Sequence, residues 1–159
     1  MLELNAEDFE GSLQQPRASF VTLRINAALR GCMGSLEATV ALAADVTQNA
    51  FKSAFKDPRF PPLTSAELVS LHIDIAVLTS AEPIECDSEK ELAQELRPGV
   101  DGVTLMEGTQ RSTLIPAAWS HFTSNKQLVQ QLKIKAGLPV DYWSETIRFE
   151  RYQAESFGE

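Results

Sequence analysis

Alternating and helical-period stretches divide the chain into a series of short elements. From Ser19 to Asn26, Val21, Leu23 and Ile25 alternate with Thr22 and Arg24, which predicts a strand with one buried face. Asn26-Ala27-Ala28 predicts a turn, with Leu29 to Leu36 as its hairpin partner. Extended backbone there would place Arg30, Cys32 and Gly34 on one face, because side chains alternate along a strand. Val40, Ala43, Ala44, Thr47, Ala50, Phe51, Ala54 and Phe55 recur at helical spacing, and that helix must stop near Asp57-Pro58, since proline disfavours helix in the residue before it. Asp57-Pro58-Arg59-Phe60-Pro61-Pro62 is then a stiff loop.

Thr64 with Glu67, and Ser88 with Glu91, match capping boxes and predict two short helices. Between them Leu71, Ile73, Ile75 and Val77 alternate with His72, Asp74 and Ala76, a strand with a wet outer face that carries His72. Val103 to Glu107 and Arg111 to Ile115 flank Gly108-Thr109-Gln110 as a second hairpin. A helix from about Lys126 should end at Gly137, ahead of Pro139, and Ile147, Phe149 and Arg151 alternate in a final strand. Hairpins with irregularly interposed helices lack the strand-helix alternation of a doubly wound sheet. The expectation is an α+β fold, a mostly antiparallel sheet with helices packed on it. No repeat or linker interrupts residues 1–159, so any subdivision would be two lobes of one folding unit, with borders near residues 57–62 and 82–97.

Composition leaves this picture in place and narrows the function. A chain of 159 residues with 43% hydrophobic and 23% charged residues is that of one ordinary globular domain. No apolar run reaches the roughly 18 to 20 residues of a membrane helix, and Met1-Leu2-Glu3-Leu4-Asn5 lacks the features of a signal peptide, so a cytoplasmic location is expected. A formal charge of −8 argues against binding nucleic acid by phosphate neutralisation. Cys32 and Cys86 are the two cysteines, both expected as thiols. Neither they nor His72 and His121 have the paired spacing of a metal site, and no cofactor fingerprint occurs.

The candidate chemistry centres on Leu29-Arg30-Gly31-Cys32-Met33-Gly34. A thiolate at Cys32 needs a stabilising positive charge, and Arg30, two positions away, is the candidate for it. Gly31 and Gly34 would let a ligand approach the backbone. Burial as a small hydrophobe and contact with a ligand are the competing readings of Cys32. Cys86 lies among carboxylates that disfavour its thiolate. Asp57 and Asp101 are the candidate acid-base or ligand-orienting groups. Their structural alternatives are a helix-terminating residue paired with Arg59 and a turn residue bonding its own backbone.

Four segments together resemble the AMMECR-domain family. They are Phe20-Val21-Thr22-Leu23 leading into Leu29-Arg30-Gly31-Cys32-Met33-Gly34-Ser35-Leu36; Asp57-Pro58-Arg59-Phe60-Pro61-Pro62-Leu63; Arg97-Pro98-Gly99-Val100-Asp101-Gly102-Val103; and Leu132-Lys133-Ile134-Lys135-Ala136-Gly137-Leu138-Pro139 with Trp143. The resemblance runs from about Ser19 to Phe157. It implies an α+β fold of two unequal lobes, and a site at Arg30, Gly31, Cys32 and Gly34. Asp57, Arg59, Asp101 and Arg111 are the further candidates for contact with a small-molecule ligand. Bacterial members resemble one component of the AmmeMemoRadiSam system, which implies MEMO-type and radical-SAM proteins as partners. Either an enzyme, or enzyme subunit, or a non-catalytic adaptor fits that setting. Here Met33 replaces the usual isoleucine, Thr109-Gln110 replaces a turn richer in glycine and arginine, and the segment before Ser19 is shorter than the usual helical head.

Overall fold

A computed structural model describes residues 8–158, so the opening residues 1–5, read above for targeting features, lie outside it. In chain order the elements are β1 (Ser19–Ile25), β2 (Ala28–Gly34), α1 (Leu42–Phe55), β3 (Leu71–Leu78), β4 (Glu82–Ile84), α2 (Glu89–Glu95), β5 (Gly102–Glu107), β6 (Gln110–Leu114), α3 (Asn125–Lys135), β7 (Arg148–Tyr152) and β8 (Ala154–Gly158). Among the described residues there are also three short 3-10 turns, Gly11–Leu13 ahead of β1, Ser65–Ser70 before β3 and Pro116–His121 after β6. The strands form two four-stranded sheets, in the orders β2-β1-β3-β8 and β4-β7-β5-β6. Every strand pair with a resolved register is antiparallel, as the α+β reading requires.

Each sheet belongs to one of two compact units, Met1–Thr79 with Glu155–Glu159 and Ser80–Ala154. The boundaries therefore fall between β3 and β4 and after Ala154, the first residue of β8, so the acidic stretch 82–97 is interior to the second unit and the proline-rich loop 57–62 is interior to the first, instead of either being a border. For the loop the reason is local bonding. Leu63 donates its N–H to the Ala54 carbonyl and Phe60 to that of Asp57, which fold the loop back on α1.

In the first unit the hairpin turn uses Asn26 and Ala27 at φ of 50° and 65°. Paired positive values suit a two-residue hairpin, although alanine lacks glycine's freedom there. Val21 and Leu23 are buried, and with Ala54 they form a core against which Val46, Ala50, Leu63 and Ile75 pack. The apolar periodicity of α1 describes only part of its buried face. Val40 and Phe55 are exposed, whereas Asp45, Asn49 and Ser53 are buried beside Leu42, Ala43 and Ala54.

In the second unit Leu92, Val103, Leu105, Leu128, Leu132 and Phe149 make a larger core. Each such side chain contributes about 1.5 to 3 kcal/mol by leaving water. Ser88 caps α2 by accepting the Glu91 N–H, but the Glu91 carboxylate reaches the Asp87 N–H instead of completing a box with Ser88. At Thr64 the Glu67 carboxylate does accept the Thr64 N–H, and the helix that follows is of the 3-10 type. Gly137, at φ 78°, ends α3, with its N–H on the Ile134 carbonyl and that of Leu138 on Lys133. Strands β4 and β8 have no counterpart in the sequence reading, because one has three residues and the other alternates no buried positions. No helix among the described residues is long and apolar enough to cross a membrane.

Candidate functional site

Helix α1 carries a polar residue at every fourth position, Asp45, Asn49 and Ser53, and the same step reaches Asp57 just past its end. Residues four apart share a helix face. All four are buried, and they run along the seam between β1 and β2. Asp45 Oδ2 accepts the Ser19 N–H at 2.8 Å and the Ser19 hydroxyl at 2.6 Å, while Oδ1 accepts the Ser35 hydroxyl. Asn49 donates from Nδ2 to the Ser19 carbonyl at 3.0 Å and to Ser35 Oγ at 2.9 Å. Its Oδ1 is buried without a hydrogen-bond partner among the described residues. Ser53 Oγ accepts the Met33 N–H at 2.9 Å and donates to the Val21 carbonyl at 2.7 Å, so one hydroxyl bridges both strands.

Asp57 completes the row on the outer edge of β2. Its Oδ2 accepts the Cys32 N–H at 2.9 Å. Arg59 donates from Nη2 to that same carboxylate oxygen at 2.7 Å and to the Cys32 carbonyl at 3.2 Å. The main chain of Cys32 is thus held at both its polar groups. The thiol points away from α1 and lies 3.3 Å from Thr22 Oγ1, the residue opposite it on β1. Cys32 is half-buried and free of any disulfide.

The neighbouring glycines serve packing. A Cβ on Gly31 would stand 2.1 Å from the Ser53 carbonyl oxygen, so β2 and α1 meet backbone to backbone there. A Cβ on Gly34 would stand 2.3 Å from the Phe20 ring. Both glycines are explained by contacts inside the first unit.

The strand expected to align Arg30, Cys32 and Gly34 is bulged. Leu23 pairs with Gly31 and Arg24 with Leu29, which leaves Arg30 as the extra residue and breaks the alternation. Its guanidinium forms a two-pronged ion pair with Glu67, at 2.7 and 3.2 Å, and lies 5.9 Å from the centre of the Phe60 ring. Glu67 is held down to about 2 by the Arg30 hydrogen bond first and by bonds from Thr64 next. The arginine beside Cys32 is therefore Arg59, whose guanidinium lies 5.6 Å from the same ring.

Asp101 and Arg111 belong to the second unit. Asp101 is fully buried, and its carboxylate accepts the Arg97 N–H at 2.9 Å and Arg97 Nη2 at 2.7 Å. Its carbonyl accepts the Trp119 indole N–H. These bonds close the turn from Arg97 to Gly102. Arg111 sits exposed on β6 opposite Met106. His72 is exposed on β3 and His121 ends a 3-10 turn. Among the described residues no group of three or more His, Cys, Asp or Glu is placed to hold a metal ion.

Sequence reasoning missed Thr22, Ser53 and Glu67 as neighbours of the Cys32 segment. It also missed Lys133, which is fully buried, bonded through Nζ to Glu89 and to the Val140 carbonyl, and placed 5.9 Å from the Trp143 ring. The recurrence of Asp45, Asn49, Ser53 and Asp57 at intervals of four was the available signal for Ser53.

The carboxylates give the site a pH signature. Asp57 is held well below the usual carboxylate range, chiefly by the hydrogen bond from Arg59, with the Cys32 N–H adding to it and burial opposing. A pKa lowered by folding stabilises the protein above the unfolded value and loses that contribution as pH falls. The difference in Tm between wild type and Asp57→Asn should be constant above about pH 5 and shrink steadily toward about pH 2. A difference that persists unchanged to acid pH would remove the ionised carboxylate from this account.

The Cys32 main chain is thus held by Asp57 and Arg59 on the edge of the first sheet. The AMMECR1 family profile matches residues 2–157, and the chain belongs to that family. It is 34% identical over 155 residues to a protein of Methanothermobacter thermautotrophicus, covering 96% of this chain and 81% of the other. A protein of Thermococcus gammatolerans is 35% identical over 162 residues, with 96% and 78% covered. The crystal structure of an uncharacterized protein from Pyrococcus horikoshii superimposes with a TM-score of 0.86 at 29% identity, covering 99% of this chain and 81% of that one.

Proposed function

We propose that this AMMECR1-family chain is a ligand-binding subunit that meets a small molecule at the Cys32 face, without covalent catalysis, and works with MEMO-type and radical-SAM proteins. The observation that carries this reading is the double hold on the Cys32 main chain by Asp57 and Arg59, which fixes a half-exposed thiol beside a hydroxyl and a guanidinium. Four buried polar residues are a costly way to position one strand, and such over-determined placement suits a contact surface. The thiol's hydrogen-bond partner is the Thr22 hydroxyl, which is no base, and Asp57 is kept ionised by Arg59. Nucleophilic catalysis needs a group that takes the thiol proton at neutral pH.

Alkylation tests this. Burial, followed by Glu91, Asp87 and Glu85, pushes the Cys86 thiol up. At pH 7.5 iodoacetamide should modify Cys32 at least about tenfold faster than Cys86, since the thiolate is the reacting form. Equal rates would count against an accessible Cys32 face. A covalent adduct on Cys32 after incubation with a metabolite extract, seen by intact-mass measurement, would overturn the non-covalent part.

A second reading, a non-catalytic adaptor, is favoured by the short turn that anchors Glu67 to Arg30. It exposes Leu68 at 60% and Val69 at 96%. Loss of binding to a MEMO-type or radical-SAM protein in Val69→Asp, with binding retained in Cys32→Ser, would support the adaptor over the ligand site.

A further inference from the structure

The other face of the first sheet holds a second feature that the Cys32 site does not use. Ile75 pairs with Val21 and Val77 with Ser19, so both point to the side of the sheet that α1 covers, opposite Thr22 and Cys32. There, Leu42 and Val46 of α1, Ile75 and Val77 of β3 and Phe157 of β8 line a cavity of about 430 Å³, with Arg17 among its walls. Leu42 and Val77 are almost fully buried. Leu13 and Phe157 on its rim are exposed, so the cavity opens to solvent with largely apolar walls, and its volume falls in the range of small-molecule pockets.

Arg17 gives the cavity its chemistry. Its Nε and Nη2 both donate to the Leu78 carbonyl, at 3.3 and 3.0 Å, which fixes the guanidinium. No carboxylate among the described residues pairs with it. Glu155, the acid that also lines the cavity, is exposed to water, whereas Arg17 is half-buried. A fixed, half-buried guanidinium that no carboxylate among the described residues pairs with, at the wall of an apolar cavity, matches a carboxylate carried on an apolar body.

We infer that this cavity binds a small apolar carboxylic acid, with its hydrocarbon among Val46, Ile75, Val77 and Phe157 and its carboxylate on Arg17. The site is independent of the Cys32 face, so Cys32→Ser should leave it unchanged. The test uses the full chain titrated with octanoate and with 1-octanol, followed by methyl NMR and thermal unfolding. Octanoate should shift the methyl signals of Val46, Ile75 and Val77 saturably and raise Tm, and octanol should bind at least about tenfold more weakly for want of the charge-assisted bond. Arg17→Gln, which retains an N–H for the Leu78 carbonyl, should bind acid and alcohol alike. Phe157→Ala, at an exposed position, should weaken both several-fold. Equal binding of acid and alcohol by wild type would overturn the carboxylate assignment. Absence of saturable methyl shifts, or undiminished octanoate binding by Phe157→Ala, would overturn the site.

Discussion

Gly31→Ala is expected to lower stability by about 3 kcal/mol, a fall in Tm of roughly 6 to 12 °C for a protein of this size. The added methyl would stand 2.1 Å from the Ser53 carbonyl oxygen and 3.0 Å from its carbon. Those are backbone atoms of α1, which have no rotamer to change, so the whole helix must retreat. Retreat would stretch the bonds from Ser53 to Met33 and from Asp57 to Cys32 together. Gly34→Ala makes the informative contrast, because its methyl meets the Phe20 ring, a side chain that can swing aside. It should cost about 1 to 2 kcal/mol. Urea unfolding of the two variants checks the order. A Gly31→Ala protein as stable as wild type would show that helix and strand do not meet backbone to backbone.

The second large effect is Asp45→Ala, at about 3 to 4 kcal/mol. The carboxylate is the acceptor for the Ser19 N–H, the Ser19 and Ser35 hydroxyls and one Asn49 N–H. Each donor stranded in the interior costs about 1 to 3 kcal/mol, and water entering the space left by the side chain recovers part of the total. Asp45→Asn keeps one acceptor oxygen and should lose about half as much. Denaturant midpoints would separate these outcomes, and equal stability of the two variants would mean that the loss comes from the cavity and not from unpaired donors.

How far the sequence anticipated this arrangement depended on what kind of signal each residue carries. Val21 and Leu23 alternate with Thr22 and Arg24, and Ile75 and Val77 with Asp74 and Ala76, and their strands lie where that pattern predicts. Gly137 and Pro58 mark helix ends through backbone chemistry that context rarely overrides. The inward face of α1 was misread because apolar periodicity assumes that buried means apolar, whereas Asp45, Asn49 and Ser53 are buried with their bonding capacity met largely by main-chain and hydroxyl groups of β1 and β2. Arg30 was misplaced for a different reason. A bulge adds one residue to one strand, and no local preference of Leu29-Arg30-Gly31 announces it. Asp57 and Arg59 were picked out from a stiff loop, but their grip on the Cys32 main chain depends on a fold that brings residue 57 to residue 32. Asp101, chosen alongside them, is spent on its own turn.

The buried polar row also sets a rule about chain length. Four helical residues advance about 6 Å and two strand residues about 6.6 Å, so the two lattices are nearly commensurate. Asn49 and Ser53 accordingly reach Ser19 and Val21, one strand repeat apart. One residue inserted between Asp45 and Asp57 would turn everything beyond it by about 100° and take Asp57 off the edge of β2. A substitution in the row costs its own bonds and leaves the others in register, whereas an insertion or deletion displaces every member beyond it, so the spacing of these four residues should vary less than their identities.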